Sequence, residues 1–117
     1  MTYISGFVLP ALTAKRDLYR ERATAAAALF KEFGALRVVE CWGADVPDGK
    51  LTSFPLSVKR EESETVVFSW VEWPSKAVAD IGMQKFMQDP RTKTMMSDMP
   101  VDGKRMIFGG FDVIVDV

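Results

Sequence analysis

The sequence predicts an α+β fold in which two strand–helix–strand halves share one four-stranded antiparallel sheet. Three observations predict it. The 117-residue chain suits a single domain, residues 1–117. Its patterned segments run strand, helix, strand, strand, helix, strand. Each half opens alike, with an apolar run, a proline and a helix-capping residue: "GFVLPALT" and "VEWPS". Two such halves make the split-βαβ, ferredoxin-like arrangement, with both helices on one face of the sheet.

The first strand spans Tyr3 to Leu9, and Pro10 is expected to end it. Thr13 is placed to cap the helix in "TAKRDLYRERATAAAALFKEFG", whose apolar face is read as Leu18, Ala25, Ala26, Leu29 and Phe33. Gly34 supplies its left-handed stop. "ALRVVECW", residues 35–42, reads as the second strand. A long connection follows over residues 43–64. Within it "LTSFPLSVK" is too apolar for a free loop and is expected to lie back on the body, a short strand being one option.

"TVVFSWVEW", residues 65–73, is the strongest strand signal. Val66, Phe68 and Trp70 alternate with Val67, Val71 and Trp73, so both faces are apolar and both require cover. Ser75 caps the second helix, which runs to about Asp89, with Val78, Ile81, Met83, Phe86 and Met87 as its apolar face. Gly82 stands where a better helix former is expected. "RTKTMMSDM" admits one more short helical piece before Pro100. In the last strand Gly109-Gly110 reads as a bulge, placing Phe108 and Phe111 on one face and Ile107 on the other. Two helices cover one side of this sheet, so the other side is expected to meet a second copy of the chain.

Composition narrows the chemistry. There is no histidine, which removes Ser-His-Asp and Cys-His catalysis, His-liganded zinc and a proximal-His haem. The single cysteine, Cys41, cannot form an internal disulfide and reads as a reduced, buried thiol. The net charge of −1 offers no global attraction for nucleic acid or anionic lipid. No apolar run reaches the roughly 18 residues of a membrane span. These features point to a cytoplasmic protein. The seven methionines read as gap-filling core or surface, not as a soft-metal site. No metal or cofactor is expected.

The segments "GFVLP", "VECWGADVPDGKLTSFP", "ETVVFSWVEWPSK" and "MPVDGKRMIFGGF", in that order, resemble the YbaA-like family of small uncharacterised bacterial proteins. The resemblance runs nearly end to end. It implies a ferredoxin-like protomer that pairs sheet to sheet as a dimeric α+β barrel, and it implies no particular reaction. The wider superfamily includes cofactor-free monooxygenases, which is analogy at the level of fold.

Among individual residues, Glu40 in "VVECW" is a carboxylate with apolar neighbours, and burial would raise its pKa toward that of a general base. Arg105 could hold a carboxylate or enolate at a pocket mouth. The structural alternative for Arg105, an ion pair with Glu40 or Glu72, ranks ahead of it. Trp42, Phe54, Trp70 and Phe108 are the candidates to line an apolar pocket for a flat ligand, with plain core as the alternative. Binding of a small, partly apolar ligand by a homodimer therefore leads, with cofactor-free chemistry by Glu40 as proton acceptor and Arg105 as anion stabiliser. A non-enzymatic interaction or stress-related assembly module is the rival, and RNA binding ranks last.

Overall fold

The computed structural model describes residues 2–117. The strands are β1 (Tyr3–Leu12), β2 (Arg37–Trp42), β3 (Glu64–Trp73) and β4 (Ile107–Asp112); the helices are α1 (Arg16–Glu32), α2 (Phe54–Ser57), α3 (Lys76–Gln88) and α4 (Pro90–Met96). The sheet order is β2-β3-β1-β4, antiparallel throughout. β1 and β2 therefore run parallel with β3 between them, and β3 and β4 run parallel with β1 between them. Each pair is joined by a crossover helix, α1 or α3. Crossovers of this kind share one hand, so both helices fall on the same face. The fold is ferredoxin-like α+β.

Packing on the helix-covered face follows the alternation of β3. Leu29, Phe30, Val71, Trp73, Ala79 and Phe86 form one core cluster; Leu9, Ala11, Tyr19, Ala23 and Val67 form a second. Phe30 stacks on Phe86 at 4.0 Å between centroids and meets Trp73 edge-on. Trp73 is fully buried, and its indole N–H donates to Ser5 Oγ at 3.1 Å, so no polar atom of the ring is orphaned. Gly82 belongs to this packing. A methyl group there would overlap the Trp73 ring and approach the Phe33 carbonyl within 2.8 Å. The low helix propensity of glycine is accepted because only a bare Cα lets α3 lie this close to the sheet.

Several boundaries differ from expectation for identifiable reasons. β1 continues through Pro10 to Leu12. Leu12 N donates to Pro100 O at 2.9 Å, and the alternation puts the Pro10 nitrogen on that same side, beyond the start of β4, where no ladder bond is lost. Thr13 does not cap α1. It begins a 3-10 turn, and its hydroxyl pairs with that of Thr65 at 2.6 Å. Helix α1 buries Tyr19, Ala23, Leu29 and Phe30, a face rotated from the expected one, while Ala25 stays exposed. The alanine run carries little orientational information, and Tyr19 and Phe30 decide the face. In α3, Ile81 and Met87 are exposed, and Ala79 and Gly82 are buried in their place. Ser75 caps α3 by accepting from Val78 N at 3.2 Å, as its position requires.

Phe54–Ser57 form a helix, not a strand. Ser53 accepts from Leu56 N at 3.0 Å, Pro55 stands in the first turn, and Val58 plugs against Val8 and Val66. This short helix lies across one end of the sheet face that α1 and α3 leave open. The Gly109-Gly110 bulge is absent. β4 pairs with β1 without interruption, Ile4↔Phe111, Gly6↔Gly109 and Val8↔Ile107 falling on the open face. Phe108 and Phe111 therefore point to opposite sides. The glycines serve another purpose: Phe111 lies across Gly6 and Gly109, and Tyr3 lies across Gly110, each ring covering a backbone without Cβ atoms.

Candidate functional site

Two concave surfaces contain Glu40, Trp42, Trp70 and Phe108 among the residues singled out from sequence. The first is a groove of about 780 Å³ between α1 and the helix-side surface of the edge strand β2. It exists because α1 presents small residues there, Ala23 and Ala27, at helical spacing below Arg16, Tyr19 and Arg20. Strand β2 contributes Val38, Glu40 and Trp42 on alternate positions, which is one face of a strand. Tyr19 packs against Trp42 at 5.8 Å, and the Arg16 guanidinium stands 5.8 Å over the Trp42 ring.

At the floor of this groove the Tyr19 hydroxyl donates a short hydrogen bond to Glu40 Oε1. Glu40 as a residue is exposed on the edge strand β2, yet its carboxyl turns into the groove against Tyr19 of α1. That burial raises its pKa above the ordinary carboxylate value, and the bond from Tyr19 opposes the rise. Tyr19 is itself pushed far up, first by burial and then by the charge of Glu40 and their shared bond. The phenol therefore remains a donor, and Glu40 is the group of the pair that gives up its proton first.

The second concave surface is an apolar trough of about 620 Å³ on the open face of the sheet, with Ile4, Val8, Phe68, Trp70, Ile107 and Phe111 along it. Phe54, from the short helix α2, meets Phe68 edge-on at 5.8 Å and borders it at one end. Trp70 donates to Glu72 Oε2 at 3.0 Å.

The four aromatic pocket candidates are thus divided. Trp42 walls the groove, Phe54 borders the trough, and Trp70 and Phe108 both line the trough, Phe108 from the β4 edge, where it stacks 6.5 Å from Phe7. Glu40 and Arg105 are also kept apart, since β2 and β4 are opposite edges of the sheet. Arg105 lines neither concave surface. Its guanidinium holds Glu64 with two bonds of 2.7 and 2.6 Å, Asp102 at 2.9 Å and the Lys59 carbonyl at 2.9 Å. Glu64 keeps 6% of its side-chain surface exposed, and the bonds from Arg105 hold its pKa below the ordinary value. The partner is Glu64, not Glu40 or Glu72, and the pair ties the entry to β4 to the start of β3. Cys41 is half-buried on the open side of β2, an edge strand that leaves its thiol incompletely covered.

Sequence reasoning missed Tyr19, Arg16 and Arg20. A signal existed: Arg16, Arg20, Ala23 and Ala27 recur at helical spacing as a stripe of charge followed by small residues. Among the described residues no group of three or more His, Cys, Asp or Glu is placed to hold a metal ion, and no helix is long and apolar enough to cross a membrane.

Sheet order and helix placement define a ferredoxin-like α+β protein carrying a groove at one sheet edge. Within that class, the chain belongs to the family described as protein of unknown function (DUF1428), whose model matches residues 2–103. It is 60% identical over 116 residues to the uncharacterized protein YbaA of Escherichia coli strain K12, covering 99% of each chain. In fold it is similar to SnoaB, a cofactor-independent oxygenase from Streptomyces nogalater, with a TM-score of 0.63 at 10% identity over 99% of this chain and 96% of that one. It is also similar to a dimeric ferredoxin-like protein of unknown function from Jannaschia sp. CCS1, with a TM-score of 0.56 at 14% identity over 95% and 99% of the two chains.

Proposed function

We propose that the protein is a cytoplasmic homodimer that binds a small, partly apolar ligand in the α1–β2 groove and acts on it without a cofactor, Glu40 accepting a proton. The observation that carries this reading is the Tyr19–Glu40 pair. A carboxylate whose pKa is raised by burial, oriented by a phenol and facing an open groove, has the attributes of a general base. Tyr19 would orient Glu40 and stabilise its charged form after deprotonation. Trp42 offers an apolar wall for the body of the ligand.

The fold shared with a cofactor-independent oxygenase is compatible with cofactor-free chemistry, and fold alone does not carry the activity across. Arg105, saturated by Glu64 and Asp102, has no part in this site. Homodimer formation is supported by the apolar open face and by the dimeric Jannaschia relative in fold. The lone free cysteine suits a reducing compartment. A non-enzymatic assembly module is the second reading, and the open face is the observation that favours it.

A thermal-shift screen of metabolites tests the proposal. A ligand at about 100 times its dissociation constant adds roughly 2.7 kcal/mol of stability. At least one compound should raise Tm, and Ala27→Phe, which fills the groove, should abolish that rise. Silence across a broad library, or a rise untouched by Ala27→Phe, would remove the groove from consideration and leave the assembly reading.

A further inference from the structure

The seven arginines of this chain divide into two groups. Five have hydrogen-bonding or ionic partners: Arg22 holds Asp98, Arg37 approaches Glu72 at 3.6 Å, Arg60 bonds the carbonyls of Glu61 and Glu64, Arg91 holds Glu32 and Asp89, and Arg105 holds Glu64 and Asp102. The guanidiniums of the other two, Arg16 and Arg20, make no hydrogen bond or ion pair with any described residue. Both line the same groove. They stand one helical turn apart on α1, so their side chains reach the same side of the helix. Arg16 is the first residue of α1, where the helix end adds positive potential.

Resting on the reading of the groove as a ligand site, we infer that its ligand is a small, flat carboxylate. The carboxylate lies between Arg16 and Arg20, and the apolar body lies along Trp42 and the α1 alanines. Planar guanidinium forks match a carboxylate in geometry as well as charge. The wall beneath them is an indole and methyl groups, which suits a flat apolar body better than a bare inorganic anion. Two acidic groups also face the groove, Asp17 on the rim beside the arginines and Glu40 on the floor. Each opposes an anionic ligand when ionised, so removing the Glu40 charge should strengthen the attraction.

Matched probes test this: naphthoate, the corresponding naphthamide and inorganic phosphate, titrated calorimetrically into the intact protein at low and moderate salt. Naphthoate should bind at least about tenfold more tightly than naphthamide, the factor expected for a charged hydrogen-bonded contact. The preference should shrink with salt. The double variant Arg16→Gln/Arg20→Gln should bring naphthoate down to the level of the amide, while Arg22→Gln on the same helix should leave the preference intact. Glu40→Gln should tighten naphthoate and leave naphthamide unchanged.

Equal binding of acid and amide overturns the carboxylate assignment while leaving the groove as a ligand site. Phosphate binding as tightly as naphthoate and displacing it overturns the assignment in favour of a simple anion site. If neither naphthalene probe binds, the inference falls, and neutral hits in the metabolite screen would keep the broader reading alive.

Discussion

The two faces of the sheet are built from similar residues and end in opposite states. On the helix side Val67, Val71 and Trp73 retain 0%, 2% and 0% of their surface. On the other side Phe68 retains 44% and, on β4, Ile107 retains 45% and Phe111 58%. Residue type does not account for this contrast, since β3 is apolar on both faces. The cause is topological: both crossovers have the same hand, so both helices land on one side. The difference teaches that hydrophobic alternation specifies that a face requires cover, and the chain path specifies whether this chain supplies it.

The largest expected effect breaks the contrast from the covered side. Trp73→Ala removes the ring that α3 packs on and should destabilise the protein by about 3–5 kcal/mol in urea unfolding. Gly82→Leu should be comparably damaging, because its side chain would occupy the space of that ring. A loss below about 1 kcal/mol for both would mean that this core is not what holds α3 to the sheet.

The open face gives the next effect, and there the sign of the contrast is tested. Phe68→Asp should leave far-UV circular dichroism unchanged while raising the dissociation constant of the proposed dimer about thirtyfold or more, as expected for losing a central anchor worth about 2 kcal/mol. Light scattering across a concentration series reads this directly. A wild-type protein that stays single-copy at high micromolar concentration would show that the trough of Phe68, Trp70 and Phe111 has another use.

The smallest effect sharpens the comparison within the helix side, between its dry centre and its wet edge at β2. Burial raises the Glu40 pKa above its unfolded value, so the native state binds the extra proton more readily than the unfolded chain. Stability from this group is therefore greatest at acid pH and declines as pH rises through the folded pKa. Glu40→Gln, which keeps an acceptor for Tyr19, should raise Tm at pH 7 and have little effect near pH 4. A variant less stable than wild type at pH 7 would show that the ionised carboxylate is favoured where it stands.

Much of the fold was legible in local patterns. Ser75, Gly34 and the two-sided alternation of β3 act over a few residues, and each did what its local chemistry demands. The failures came where local patterns are silent. Nothing near Arg105 in sequence reveals Glu64, 41 positions away. The Gly109-Gly110 pair has two local explanations, a bulge or a backbone covered by rings. Only the register with β1, which brings Phe111 over Gly6 and Tyr3 over Gly110, selects the second. The site was half legible: Glu40 and Trp42 stand on one strand face by simple alternation, whereas Tyr19 and the two arginines come from a different element.

By itself the amino-acid sequence determined the order of the four strands and the two crossover helices, the ferredoxin-like topology and the absence of histidine chemistry. Periodicity, caps and composition are properties of short stretches of chain, and they survive without any knowledge of what packs where. Only the tertiary structure decided which arginines are satisfied, which carboxylate meets the Tyr19 hydroxyl and which side of the sheet stays uncovered. Those outcomes depend on groups distant in sequence arriving within hydrogen-bond reach, and the chain path alone sets that.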